Sequence, residues 1–293
     1  MPSLSFDPVA HIYDATRGYP AEVAQSIAQA IETTTGATPA TTFLEVGIGT
    51  GRIAFPLASL GHTYSGVDIS EKMVEQLEAK LVGDGWQEDE QPWGAMPDEN
   101  SAEVCVVRRF TSSEKQASMR LVIADMTKLP FYDALFDTVI AVHVFHLVDG
   151  WQQAVSEVLR VLRPGGLFLH CRDEYMISDR LVVEGEWHKI VRELGGEVNR
   201  PGVLSRSSII QWLRERGLQP QEFAVARWES MSTPRQAVEH VTQRIWSSTW
   251  VVPDDLFAAS AERLWRWADN YFGAAMDTRH VQTRQFVICK TGV

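Results

Sequence analysis

The sequence of 293 residues is short of three things. It has no apolar run approaching the ~18 residues a membrane-crossing helix needs, and the opening Met-Pro-Ser-Leu-Ser-Phe-Asp-Pro has no basic stretch leading into an apolar one. It has three cysteines, Cys105, Cys171 and Cys289, too few and too scattered for a zinc spacing or a complete set of disulfides. It also lacks an excess of base: 27 Lys and Arg stand against 38 Asp and Glu, for a net charge of -11. Such a surface repels phosphate backbones and anionic lipid. These absences point to a cytoplasmic chain without metal, nucleic acid or membrane among its partners, either monomeric or homodimeric. The charge slightly favours a neutral or cationic, partly apolar small molecule as ligand.

What is present is ordinary globular material, 45% apolar and 22% charged, with no fixed-period repeat. Strand and helix patterns alternate. Val23, Ile27 and Ile31, four apart, predict a leading helix after Pro20; Phe43 to Val46 reads as a strand entering a glycine turn, and Ile53, Leu57 and Leu60 continue as a helix. Further strands are expected at His62 to Val67, Arg120 to Ala124, Phe136 to Val142 and Leu167 to Cys171. Helices are expected from Ser70, a plausible N-cap, and over Trp151 to Leu162. That rhythm predicts an α/β fold, a doubly wound and mostly parallel sheet with helices on both faces.

Two stretches break it. Gly83 to Ser118 is mostly aperiodic, with one strand-like patch at Val104-Cys105-Val106-Val107, and reads as an inserted surface loop with room for a hairpin. After Arg172, helical patterns dominate at 179–194, 207–216, 233–246 and 254–272, with strands expected at Gln221 to Trp228 and Val281 to Cys289. The whole chain, 1–293, is read as one domain with a core at 36–172, an insertion at 83–118 and a helical cover with the last two strands at 173–293.

The chemistry concentrates in Glu45-Val46-Gly47-Ile48-Gly49-Thr50-Gly51. A glycine turn between strand and helix sets backbone N–H groups beside a polar ligand. A dinucleotide fingerprint would need glycine where Arg52 stands. An acid before the first glycine suits a cationic ligand better than a pyrophosphate. Asp68, 17 residues after Gly51 at the end of the next strand, can accept from both hydroxyls of a ribose.

Together, Leu44 to Gly51, Asp68, Asp125-Met126 with Leu129-Pro130-Phe131, Phe136-Asp137 and Val161-Leu162-Arg163-Pro164-Gly165-Gly166 resemble the successive motifs of class I S-adenosylmethionine-dependent methyltransferases. The likeness covers about Tyr13 to Cys171. It implies S-adenosylmethionine as cofactor and a Rossmann-like sheet of seven strands in the order 3-2-1-4-5-7-6, the last antiparallel. It also implies that Gly47, Gly49 and Gly51 pass under the methionine portion and that Glu45 helps hold its ammonium. Asp68 would take the ribose, Ile69 would flank the adenine, and Asp125 with the Met126 backbone would face its amino group. Tyr13 and Arg17 fall in a segment resembling one that covers the cofactor in related enzymes.

For the reaction, a phenol, alcohol or amine acceptor must lose a proton, which makes histidine the natural base. His143 and His146, just past the fourth strand, are the candidates, against the alternative that a histidine there merely packs near the cofactor. His170 is weaker. Seven of the ten tryptophans, from Trp187 onward, either line a lid over the acceptor or pack the added helices. The leading expectation is methyl transfer to a small molecule. The alternatives are a cofactor-binding or regulatory protein that transfers no methyl group and, more remotely, an NAD-dependent oxidoreductase.

Overall fold

The computed structural model describes residues 3–90, 107–203 and 205–293. Its centre is one mixed sheet of β1 (Thr42–Val46), β2 (Thr63–Asp68), β3 (Gln87–Glu88), β4 (Val107–Ser112), β5 (Ala117–Ile123), β6 (Phe136–Val142), β7 (Leu162–Ile177), β8 (Gln221–Ser232) and β9 (His280–Gly292). The order across the sheet is β3-β4-β5-β2-β1-β6-β7-β9-β8. Strands β5, β2, β1, β6 and β7 run parallel, and β9 is antiparallel to both β7 and β8.

The Rossmann-like expectation of seven strands is therefore corrected to nine among the described residues. The two extra strands come from the segment expected to be loop: β4 pairs antiparallel with β5 and β3 with β4, which extends one edge. Of the strand-like patch at 104–107, only Val107 lies within the described residues, and there it opens β4.

Alternation along each strand divides the core in two. Beyond the short α1 (Tyr13–Arg17), Phe43 and Tyr64 face helices α2 (Ala21–Thr35), α3 (Ala54–Ala58) and α4 (Glu71–Gly83), packing with Ile27, Ile31, Leu57 and Leu77. Leu44 and Val67 face the other way, toward the stripe Val155, Val158 and Val161 of α5 (Trp151–Val161) and toward α7 (Arg206–Arg214). Helices start where the chain offers caps: Ser70 Oγ accepts from the Met73 N–H at 3.1 Å.

The largest departure in boundary is β7. The pattern suggested Leu167 to Cys171, yet the strand runs sixteen residues, because β9 pairs with it as far as Ile177. Its neighbour β6 stops opposite Cys171, so β7 overshoots the sheet's C-terminal edge. Above that edge lies a third apolar cluster made by α6 (Asp179–Glu193), α8 (Pro234–Thr242) and α9 (Asp254–Phe272), with Trp187, Val238 and Leu264 at its centre. Among the described residues no helix is long and apolar enough to cross a membrane.

Candidate active site

Two adjoining cavities open at the C-terminal ends of the parallel strands, where open α/β sheets bind ligands. The smaller is lined by Gly47, Gly49, Asp68, Ile69, Asp125 and Met126. The turn after β1 has Gly47 at φ +75°, and a Cβ there would stand 2.6 Å from a Val144 methyl. Only glycine allows that approach. Gly49 donates to Asp68 Oδ2 at 2.8 Å, and the Ser70 N–H to Oδ1 at 2.8 Å. The carboxylate is thus fixed by backbone donors while both oxygens keep a lone pair for a ligand. Burial pushes the Asp68 carboxyl up to about 6, against the hydrogen bonds from Ser70 and Gly49. Asp125 is exposed and accepts from the Thr127 N–H and hydroxyl at 2.8 and 2.9 Å, an Asx turn that still leaves it on the crevice wall.

Four sequence-derived candidates need relocation. Glu45 lies beneath the crevice, 2% exposed, where it accepts from the Tyr64 hydroxyl at 2.9 Å; it lines neither cavity. Gly51 faces α4: a Cβ there would be 2.4 Å from Leu77, so close packing demands a glycine, and it lines neither of the two cavities. Arg17 and His146 line the second cavity only. Arg17 is anchored by its Nη2 donating to the Ile245 carbonyl at 2.8 Å, with its guanidinium 5.0 Å from the Phe6 ring.

The amino-terminal residues run across both cavities. Leu4 N–H donates to the Leu147 carbonyl at 2.9 Å, Ser70 Oγ donates to Asp7 at 2.5 Å, and Thr50 Oγ1 donates to Asp14 at 2.6 Å. Phe6 and Tyr13, from this segment, join His143 and Val144 as the wall common to the two cavities. Trp250 packs its ring edge on Phe6 at 4.8 Å, and Trp246 lines the larger cavity, whereas Trp187 is buried packing for the added helices. Of the two roles weighed for the tryptophans, packing of the added helices is seen at Trp187, and Trp246 is placed on a cavity wall.

The larger cavity, about 550 Å³, is within the size range of small-molecule sites. His143 stands at its entrance at φ +51°, a conformation uncommon for a residue with a side chain. Its Nε2 lies 2.6 Å from Asp173 Oδ1. Asp173 also accepts from the Tyr19 hydroxyl at 3.2 Å and pairs with Arg284. Burial alone would raise the Asp173 carboxyl, but His143, Arg52 and Arg284 outweigh it and hold it well below the usual range. Burial, reinforced by Arg200, drives the His146 imidazole well below its ordinary value, so it is neutral at pH 7.

Asp173, Arg52 and Tyr19 escaped sequence reasoning as site residues. The signal for Asp173 was there, an acid two residues beyond an expected strand end, but only the overshoot of β7 brings it to His143. The cavity also reverses the charge expectation. Arg17, Arg52, Arg172, Arg180, Arg200 and Arg284 line it against Asp173, Glu174 and Glu184. Net charge counts the whole surface and says nothing of which groups turn inward.

A family model described as methyltransferase domain matches residues 44–170. Residues 44–170 thus carry the likeness of a methyltransferase domain. Among curated relatives, a sterol 4-C-methyltransferase of Caenorhabditis elegans is 23% identical over 196 residues, 67% of this chain and 46% of its own length. A 27-O-demethylrifamycin SV methyltransferase of Amycolatopsis mediterranei is 29% identical over 180 residues, 61% of this chain and 54% of its own. The chain spans about half the length of these curated relatives. Among solved structures, the YcgJ protein of Bacillus subtilis superposes with a TM-score of 0.54 at 15% identity, covering 90% of this chain and 97% of its own. The cyclase SpnF gives 0.54 at 16%, covering 100% and 98%. At these identities the likeness shows the fold alone.

The cofactor of a class I methyltransferase domain is S-adenosylmethionine, and the smaller crevice fits it. A turn closed to any Cβ at Gly47 leaves backbone beside the ligand, a carboxylate with spare lone pairs suits a diol, and Ile69, 47% exposed, offers an apolar face to a base.

Proposed function

We propose that this protein transfers the methyl group of S-adenosylmethionine to a hydroxyl or amine of a small molecule, the cofactor in the smaller crevice and the acceptor in the larger cavity. The observation that carries this reading is the common wall: Phe6, Tyr13, His143 and Val144 line both spaces, so a group at the end of one meets a group at the mouth of the other. When bound, the cofactor supplies a methyl on a cationic sulfur, which leaves as a neutral thioether when the nucleophile's electron pair forms the new bond.

The chain's own residues supply placement and a proton acceptor. Asp68 would accept from the ribose hydroxyls, Ile69 would flank the adenine, and Asp125 with the Met126 backbone would face its amino group. Gly47 and Gly49 give the methionine portion access to the backbone. The amino-terminal segment, pinned at Leu147, Ser70 and Thr50, excludes water from the junction. Alignment of this kind accounts for much of the rate in a direct displacement.

His143 is the better of the two histidines for the base. Asp173 meets Nε2 twice, with its ionised carboxylate at 2.6 Å and its own backbone N–H at 2.7 Å; in the tautomer that places the ring proton on Nε2 against the carboxylate, Nδ1 is the nitrogen left to take the acceptor's proton. His146 lines only the acceptor cavity.

Incubation with methyl-labelled S-adenosylmethionine and a panel of small hydroxyl and amine compounds tests the proposal. The expected result is S-adenosylhomocysteine and methylated product formed one for one. Tight cofactor binding with no methyl release across the panel would instead favour a binding or regulatory role.

A further inference from the structure

The larger cavity contains a charge that the protein itself does not answer. Arg172 is paired with Glu174 and Glu222, Arg284 with Asp173, and Arg180 with Glu184 at 3.5 Å. Arg17 and Arg52 donate to the backbone carbonyls of Ile245 and Arg17 and lie over aromatic rings. Arg200 differs: half-buried on the cavity wall, it has no hydrogen-bond or ion-pair contact among the described residues, and the nearest acid it feels, Glu184, is already engaged by Arg180 and by Ser248 Oγ at 3.3 Å. A guanidinium has five donors in a fixed fork matched to carboxylate and phosphate oxygens. Leaving it partly desolvated and unanswered costs stability unless a ligand supplies the partner.

Its surroundings suit that partner. Arg180 is close enough for the two charges to repel, and Ser247 and Ser248 stand on the same wall. Residues 202 and 203 hang by their N–H groups from the carbonyls of His146 and Phe145 at 3.3 and 3.0 Å, which holds the segment bearing Arg200 against the cavity floor. Trp246 and Tyr175 lie beneath the Arg180 guanidinium at 4.3 and 4.9 Å from their ring centroids, giving an apolar, aromatic surface beside the positive one.

We infer that Arg200, with Arg180, forms an anion subsite that anchors the acceptor, so that the substrate is a partly apolar molecule carrying a carboxylate or phosphate group in addition to the atom that receives the methyl group. The inference rests on the acceptor reading of the larger cavity and adds the substrate's charge to it. Burial is the main cause that keeps the His146 imidazole neutral, followed by Arg200 and then by His143, Arg17 and His170, so an anion that neutralises the Arg200 guanidinium relieves part of that pressure.

Titration calorimetry on the full chain saturated with S-adenosylhomocysteine, using naphthalene carboxylate, naphthyl phosphate and the neutral naphthalene carboxamide, is the test. At least one anion is expected to bind about tenfold or more tightly than the carboxamide, the size of a charge-assisted contact. Arg200→Gln should abolish that preference with S-adenosylhomocysteine affinity unchanged, and Arg200→Lys should keep part of it. The tighter of the two anions tells a carboxylic acid from a phosphate ester. As an independent readout on the wild type, the NMR titration midpoint of His146 should rise with the anion and not with the carboxamide. Equal binding of acid and amide, or an undiminished preference in Arg200→Gln, overturns the subsite. Failure of the wild type to bind S-adenosylhomocysteine would overturn the transferase reading instead, and the same titrations without cofactor would still decide the subsite.

Discussion

The two cavities share a wall and are built in opposite ways. The smaller takes its polar contacts from strand ends and the turns that follow them, and its charged groups, Asp68 and Asp125, are acids. The larger draws on residues near 6, 17, 52, 143, 173, 200, 246 and 284, and its charged lining is mainly arginine. The smaller is an acidic place for a cationic ligand. The larger is a basic place with the opposite preference. At their junction stand Phe6, Tyr13, His143 and Val144, where the two ligands would have to meet.

The sharpest way to break this contrast is at the junction. His143→Gln keeps a side chain of similar reach but removes the base, and turnover on a hydroxyl or amine acceptor should fall by about a hundredfold to ten-thousandfold. Affinity for S-adenosylhomocysteine, measured by calorimetry, should hold. The same loss in His146→Gln, with His143→Gln nearly normal, would move the base into the acceptor cavity and sink the assignment.

Next in size is Asp173. Removing it leaves Arg284 and the Arg52–His143 side of the network without their buried counter-charge, and truncating one member of a buried pair costs about 3–5 kcal/mol. Asp173→Ala should therefore lower the unfolding free energy obtained from urea denaturation by that much, while Asp173→Asn, which retains hydrogen bonding, should lose less. A variant as stable as the wild type would show that the arginine-rich wall does not depend on this acid.

The Asp68 test works on the other side. Asp68→Ala should weaken S-adenosylhomocysteine by about 1.5–3 kcal/mol, tenfold to over a hundredfold in Kd. Because burial pushes this carboxyl up to about 6, it gains a proton as pH falls from 7 to 5. Protonation removes the acceptor charge, so wild-type affinity should fall over that interval, and the Ala variant should lose this part of the dependence. An equal pH slope in both proteins would assign the dependence to another group.

How much of each cavity could be read from the sequence follows from the same contrast. Gly47, Gly49, Asp68, Ile69, Asp125 and Met126 sit at strand ends that hydrophobic patterning identifies, so their convergence on one sheet edge needs only the α/β alternation. Arg200 lies between Asn199 and Pro201 in a stretch without periodicity, and nothing local says that it faces a ligand. Asp173 becomes part of a site only because β9 carries β7 past the end of β6, a long-range pairing that strand propensity does not report. The two extra edge strands were hidden for a different reason: β3 is two residues long, and β4 lies in an insertion without clear periodicity. That Glu45 and Gly51 lie outside the lining of both cavities could not be read from the motif, which gives residue spacing and not the face to which each residue turns.

The smallest expected effect concerns Glu45, the acid that sits beneath the crevice without lining it. Burial raises its carboxyl to about 8, only partly offset by the hydrogen bond from Tyr64. In an unfolded chain it would titrate near 4.5. Between those values the folded protein keeps a proton that the unfolded chain gives up, so this group's contribution to stability declines as pH rises from about 4.5 to 8 and is fully lost above that. Glu45→Gln retains an oxygen for the Tyr64 hydroxyl and cannot ionise. Its Tm should match the wild type near pH 5 and exceed it at pH 8.5. A Tm below the wild type at pH 8.5 would mean that the carboxylate is ionised and paired in the fold, with Arg52 as the nearest partner. In that case the smaller crevice would have a negative charge at its floor as well as its rim, and Glu45 would return to the set of groups that hold the cofactor's cationic end.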